Sequence, residues 1–205
     1  MKKLFNVLFL VVLTLSVSGQ SKEELSNAES ILWLGIDFTQ ARFEGKYDFG
    51  VPEELTGKYI PSWNQVMLQE PEKFDIATLF EFNKVESDFG IVFKRNENLD
   101  KEKIFLGPGE IGEYSLTEED IGKIVSEYNI EYDGYGLVFI VESYSKTAVQ
   151  GNIWVTFFHV PTKKVVFTKK MTGKAKGFGI RNYWTGAVFD VMKQCNQQID
   201  SLLKD

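Results

Sequence analysis

Leu137-Val138-Phe139-Ile140-Val141 contains no polar residue, and its β-branched and aromatic content marks a strand. A strand that is apolar at every position is covered on both faces, so this one belongs at the centre of a sheet. Gly134 and Gly136 mark the turn that leads into it. Downstream, residues 152–160 and 164–171 read as two more strands. Pro161-Thr162-Lys163 joins them, the signature of a hairpin. A glycine-rich segment then opens a long final helix over about residues 182–203. On it Trp184, Val188, Val191, Cys195, Ile199 and Leu202 recur at spacings of three and four, one apolar face of a helix.

Working toward the amino terminus, Thr117 followed by Glu118, Glu119 and Asp120 is a helix start with acids at the positive dipole end. That helix carries Ile121, Ile124 and Val125 and ends near Asn129. Residues 96–115 read as loop around Gly107-Pro108-Gly109, and 88–94 as a short strand. Residues 73–84 are ambiguous between helix and strand. A helix is expected over 62–70, a long first strand over 31–43, and a short polar helix or lead-in over 21–30. The order β-α-(β)-α-β-β-β-α predicts an α/β or α+β fold. Its mixed sheet of about five strands is packed by helices, with a carboxy-terminal hairpin and a long last helix.

The first residues carry an address. Lys2 and Lys3 precede the apolar run Leu4 to Leu15, broken only by Asn6 and Thr14; Ser16, Val17, Ser18 and Gly19 follow. This is the three-part layout of a secretory signal peptide, too short to span a bilayer comfortably. Val17 and Gly19 suit the −3 and −1 positions of the peptidase, leaving Gln20 as the mature start. No cysteine follows the run, so no lipid anchor is expected. The expected product is one globular domain, residues 20–205, periplasmic or secreted, with no transmembrane span.

Composition narrows the function classes. The chain is 43% hydrophobic and 14% aromatic, as a folded protein requires. Its formal charge is −6, and loss of Lys2 and Lys3 with the leader makes the mature chain more acidic still. Such a surface repels a phosphate backbone and argues against nucleic-acid binding. Cys195 is the single cysteine, so no intramolecular disulfide forms, and its place on the apolar stripe makes it a buried small hydrophobe. His159 is the single histidine, which removes His-rich metal sites. No cofactor and no metal is expected.

The best candidate site is Gly173-Lys174-Ala175-Lys176-Gly177-Phe178-Gly179-Ile180-Arg181-Asn182. It leaves a strand, opens a helix, and combines glycines with cations, a pattern suited to holding an anion on backbone N–H groups. The ligand-binding candidates are Lys174, Lys176, Gly177, Gly179, Arg181 and Asn182. The pattern is neither a P-loop nor a dinucleotide fingerprint. The same glycines also suit a sharp strand-to-helix turn with solvated lysines. Leu34-Gly35-Ile36-Asp37-Phe38 resembles the first phosphate motif of the sugar-kinase, actin and Hsp70 superfamily, but Thr39-Gln40 stands where that motif has Gly-Thr. Asp37 also reads simply as a polar residue on a mixed strand face. Asn129, Glu131, Asp133 and Gly134 imitate half a calcium loop, yet position twelve is Ile140, so a turn is expected. His159 reads as a strand-end packing residue, and Ser143 and Ser145 show no nucleophile elbow. Tyr132, Tyr135, Tyr144, Phe178, Tyr183 and Trp184 lie near turns, where they serve as core or, if exposed, as a recognition surface.

The layout of residues 116–203, with the strand 137–141, the hairpin 152–171, and the glycine-rich exit into Asn182-Tyr183-Trp184, resembles small α/β domains of bacterial envelope proteins. Examples are the amino-terminal domain of the Tol–Pal translocation protein and the periplasmic curli-secretion lipoprotein. The resemblance implies an interaction role with no catalytic residues. Three functions therefore stand as expectations: a non-enzymatic envelope protein with a protein partner, a small anion- or ligand-binding protein using the glycine loop, and a small hydrolase.

Overall fold

A computed structural model of the chain describes residues 17–107 and 109–198. The charged and apolar parts of the leader lie outside the described residues, as do Ile199 and Leu202 of the last helix. The first elements are α1 (Val17–Ser26), β1 (Ser30–Asp37), β2 (Arg42–Glu44) and α2 (Lys46–Phe49). Next, α3 (Pro52–Glu54) and a π-helical turn (Leu55–Tyr59) run directly into α4 (Ile60–Gln69). There follow α5 (Ile76–Phe80), β3 (Lys84–Ser87), α6 (Gly90–Asn96), β4 (Phe105–Leu106) and α7 (Glu118–Ser126). The chain closes with β5 (Tyr135–Ser145), β6 (Gln150–His159), β7 (Lys164–Lys174) and α8 (Gly179–Gln197).

The fold is mixed α/β, and β5 is its axis: Leu137 to Val141 are fully buried. Along one edge, β1 runs parallel to the first half of β5 and β2 parallel to the second half. Outside these lie β3 and β4, also parallel. Along the other edge β6 and β7 continue the sheet antiparallel. The sheet thus has seven strands, more than the five or so expected, because the first expected strand divides into β1 and β2, and short β3 and β4 replace the one expected over 88–94. On one face α4 and α5 each pack against α8. Phe157 meets Phe80 of α5, whereas its neighbour Phe158 meets Tyr128 beyond α7, so the sheet is covered on both faces.

The single strand expected over 31–43 is two. Its register slips between Trp33 and Ile36, where Gly35 has φ +87° and a Cβ would stand 2.6 Å from Asn64 Oδ1. Asn64 then replaces a neighbouring strand, accepting from Ile36 N at 2.8 Å and donating to Ile36 O at 2.9 Å. Asn96 does the same one step on, accepting from Phe38 N at 2.7 Å. Both amides are buried, so backbone groups freed by the break remain satisfied.

Three further expectations need correction. The strand expected over 88–94 is helix α6: its β-forming residues are overridden because Val92 and Asn96, four apart, must both face inward. The ambiguous stretch 73–84 is α5, capped by Asp75 accepting from Thr78 N at 3.0 Å, followed by the start of β3. The loop 96–115 contains β4 and a single 3-10 turn. The start of α7 is as read: Thr117 and Asp120 form a reciprocal capping box. Among the described residues no helix is long and apolar enough to cross a membrane.

Candidate functional site at the β7–α8 loop

Close packing requires Gly173 and Gly177 of the predicted loop, whereas a Cβ on Gly179 would meet nothing within 4 Å and that residue serves through its φ of +75°. A Cβ on Gly173 would stand 2.0 Å from the Ala187 carbonyl oxygen, and one on Gly186 would stand 2.0 Å from that of Lys176. Gly177, at φ +144°, lies against the Asn182 carbonyl. The chain therefore leaves β7 by folding back over the first turns of α8. Lys176 N donates to Tyr183 O at 3.1 Å, and Trp63 Nε1 of α4 donates to Ile180 O at 3.3 Å. These bonds tie the two ends of the loop, at Lys176 and Ile180, to the body of the fold.

The charged candidates spread outward from it. Lys174 is exposed, and its amide donates to Asp190 Oδ2 of α8 at 3.0 Å. Lys176 is exposed, with no ion pair among the described residues. Arg181 reaches Gln69 Oε1 at 3.4 Å. Asn182 is exposed, and its carbonyl accepts from Thr185 Oγ1 at 3.3 Å. Beside the loop lies a cavity of about 370 Å³ lined by Gly177, Gly179, Ile180, Tyr183, Trp184, Lys146 and Asp48. Of the six candidates only Gly177 and Gly179 line it. The cation there is Lys146, from the β5–β6 turn, whose Nζ sits 4.2 Å from the Tyr183 ring centroid. Nothing local in the sequence marks Lys146 or Asp48: Lys146 follows β5, Asp48 lies on α2 after β2, and the β2–β5 pairing brings the two segments together.

The aromatic residues near turns divide sharply. Tyr144 and Trp184 stack at 4.5 Å in the core, while Tyr132, Tyr135 and Tyr183 are half-buried. Phe178, the residue before α8, is 95% exposed.

The other sequence candidates are engaged elsewhere. Asp37 is fully buried. It accepts from Arg95 Nε at 3.0 Å, from Tyr128 OH at 2.9 Å, and from Thr39 N and Oγ1 at 2.7 and 2.6 Å. Burial, then the charge of Asp37, holds the Tyr128 phenol well above its ordinary range. His159 contacts Thr162 Oγ1 through Nδ1 at 2.9 Å. Asp37 pairs in register with Ile140 and His159 with Tyr135, so they stand five residues apart along β5, about 17 Å. They form no acid–base pair. Among the described residues no group of three or more His, Cys, Asp or Glu is arranged to hold a metal ion. Cys195 is buried beside Met171, with Sγ–Sδ 3.4 Å, and burial pushes its thiol up to about 12.

No family model and no curated protein matches the chain.

Proposed function

We propose that this is an exported, non-enzymatic cell-envelope protein whose β7–α8 loop docks a partner protein. The leader pattern of residues 1–19 and the likeness to envelope α/β domains support the address and the role. One observation carries the docking surface: Phe178 is 95% exposed, on a loop hydrogen-bonded to the body of the fold on either side of it, at Lys176 and Ile180. Burying a phenylalanine ring is worth about 1.5–3 kcal/mol, so an aromatic side chain held in water is an anchor awaiting a socket. Exposed Lys174, Lys176 and Arg181 lie within four residues of it in the chain, and they suit a partner that rims an apolar pocket with carboxylates.

A photoreactive phenylalanine analogue at position 178, in cells that export the protein, tests the reading. One discrete crosslinked product is expected from position 178 and none from Glu119, an exposed residue on α7. Equal labelling from both positions, or none from 178, would contradict it.

A second reading, a small-ligand site at the loop, is favoured by the cavity between Lys146 and Gly177. It requires a ligand whose binding is lost in Lys146→Ala and kept in Phe178→Ala.

A further inference from the structure

A second cleft lies where β1 ends. Beyond Asp37 the chain crosses to β2, and the gap is flanked by the end of α6, the turn that follows it and the end of α7. The resulting cavity, about 450 Å³, is lined by Thr39, Arg42, Arg95, Asn98, Lys103 and Glu127, among others. It opens past the carboxyl end of a parallel strand, where ligands of α/β sheets are bound. Its size suits a small metabolite.

Two guanidinium groups reach this cleft in fixed positions. Arg95 is held by Asp37 through Nε and by Glu127 through Nη1, each at 3.0 Å, and its face lies 4.9 Å from the Tyr128 ring centroid. Among the described residues its Nη2 has only Thr39 Oγ1, at 3.5 Å. The Cζ of Arg42 lies over the Tyr114 ring, 4.8 Å from its centroid. Its Nη1 donates to the carbonyls of Gln40 and Ala41 at 3.3 and 3.0 Å. Nε and Nη2 of Arg42 have no acceptor among the described residues.

The three cations here are matched in number by Asp37, Asp100 and Glu127, but unevenly. Arg95 pairs with two carboxylates and Lys103 with Asp100 at 3.3 Å, while Arg42 has no ion pair among the described residues. A half-buried guanidinium with one edge free, its Nη1 bonded to carbonyls and its carbon seated over an aromatic ring, is pre-organised for a bidentate oxyanion. We propose that this cleft binds a small oxyanion-bearing ligand, its carboxylate or phosphoryl group held by the free edge of Arg42 with Arg95 Nη2 alongside.

The site is independent of the β7–α8 loop, and the test exploits that. Phosphate and succinate are titrated calorimetrically into the full chain at constant ionic strength. Wild type, Arg42→Gln, Arg42→Lys and the triple variant Lys174→Ala/Lys176→Ala/Arg181→Ala are compared. Saturable binding of one probe is expected, and which probe binds names the ligand class. Affinity should fall at least about tenfold in Arg42→Gln, roughly 1.4 kcal/mol. It should fall less in Arg42→Lys and stay unchanged in the triple variant. In wild type the Arg42 Nε–H resonance should shift along the same isotherm, a readout that needs no variant to fold. The proposal is overturned if neither probe saturates, if Arg42 Nε–H stays still while binding proceeds, or if a folded Arg42→Gln binds as tightly as wild type.

Discussion

Tyr144→Phe is expected to stabilise the fold, because the hydroxyl it removes lies fully buried with no hydrogen-bond partner among the described residues. The ring packs against Trp184 at 4.5 Å with 8° between planes, and against Phe38, Phe43 and Trp63 in edge contacts of 5.5–5.9 Å. Phenylalanine keeps all of these. Leaving a buried hydroxyl unsatisfied costs about 1–3 kcal/mol. Deleting the oxygen forfeits only the dispersion contacts of one atom, each about 0.1–0.2 kcal/mol. The net gain is about 1–2 kcal/mol, which raises Tm by about 3–6 °C for a domain of this size. Urea unfolding with an unchanged m-value, together with calorimetry, measures it. A loss of 1 kcal/mol or more would refute the reasoning, since it would mean that the hydroxyl is satisfied.

Three other outcomes are expected. Gly173→Ala places a Cβ 2.0 Å from the Ala187 carbonyl, so α8 must shift; a loss of about 3 kcal/mol should appear in chemical denaturation. Hydrogen bonds to Glu44, first from Ser145 Oγ and also from Gly109 N, outweigh burial and hold its pKa below the ordinary 4.5. The stability Glu44 supplies is therefore present above that pH and lost as pH falls through the folded value. Stability measured against pH should accordingly show a shallower acid limb in Glu44→Gln. Cys195, buried with its thiol pushed up to about 12, should stay unreactive toward a disulfide reagent at pH 8 until urea unfolds the chain.

The parts of the fold legible in the sequence are those whose cause is local. Leu137 to Val141 announce a central strand by composition alone, Thr117 and Asp120 sit within one turn, and the β6–β7 hairpin needs only its Pro-Thr-Lys connection. The division of 31–43 was hidden because its cause lies in Asn64 and Asn96, far along the chain. The segment 88–94 misleads for a related reason: its β-forming side chains matter less than the need to bring Asn96 to Phe38. At the loop, Gly177 and Gly179 were visible as punctuation, but Lys146 and Asp48 reach the same cavity only through tertiary structure. Arg42 and Arg95 were equally silent, since neither belongs to a spaced motif.

The docking surface stands on the exposure of one ring, so the most direct measurement is fluorine NMR of 4-fluorophenylalanine placed at position 178. A solvent-exposed ring gives a shift between H₂O and D₂O close to that of the free amino acid, and that is the expected result for a side chain 95% exposed. A much smaller shift in the isolated protein would place the ring against the chain itself and contradict its role as an anchor for a partner.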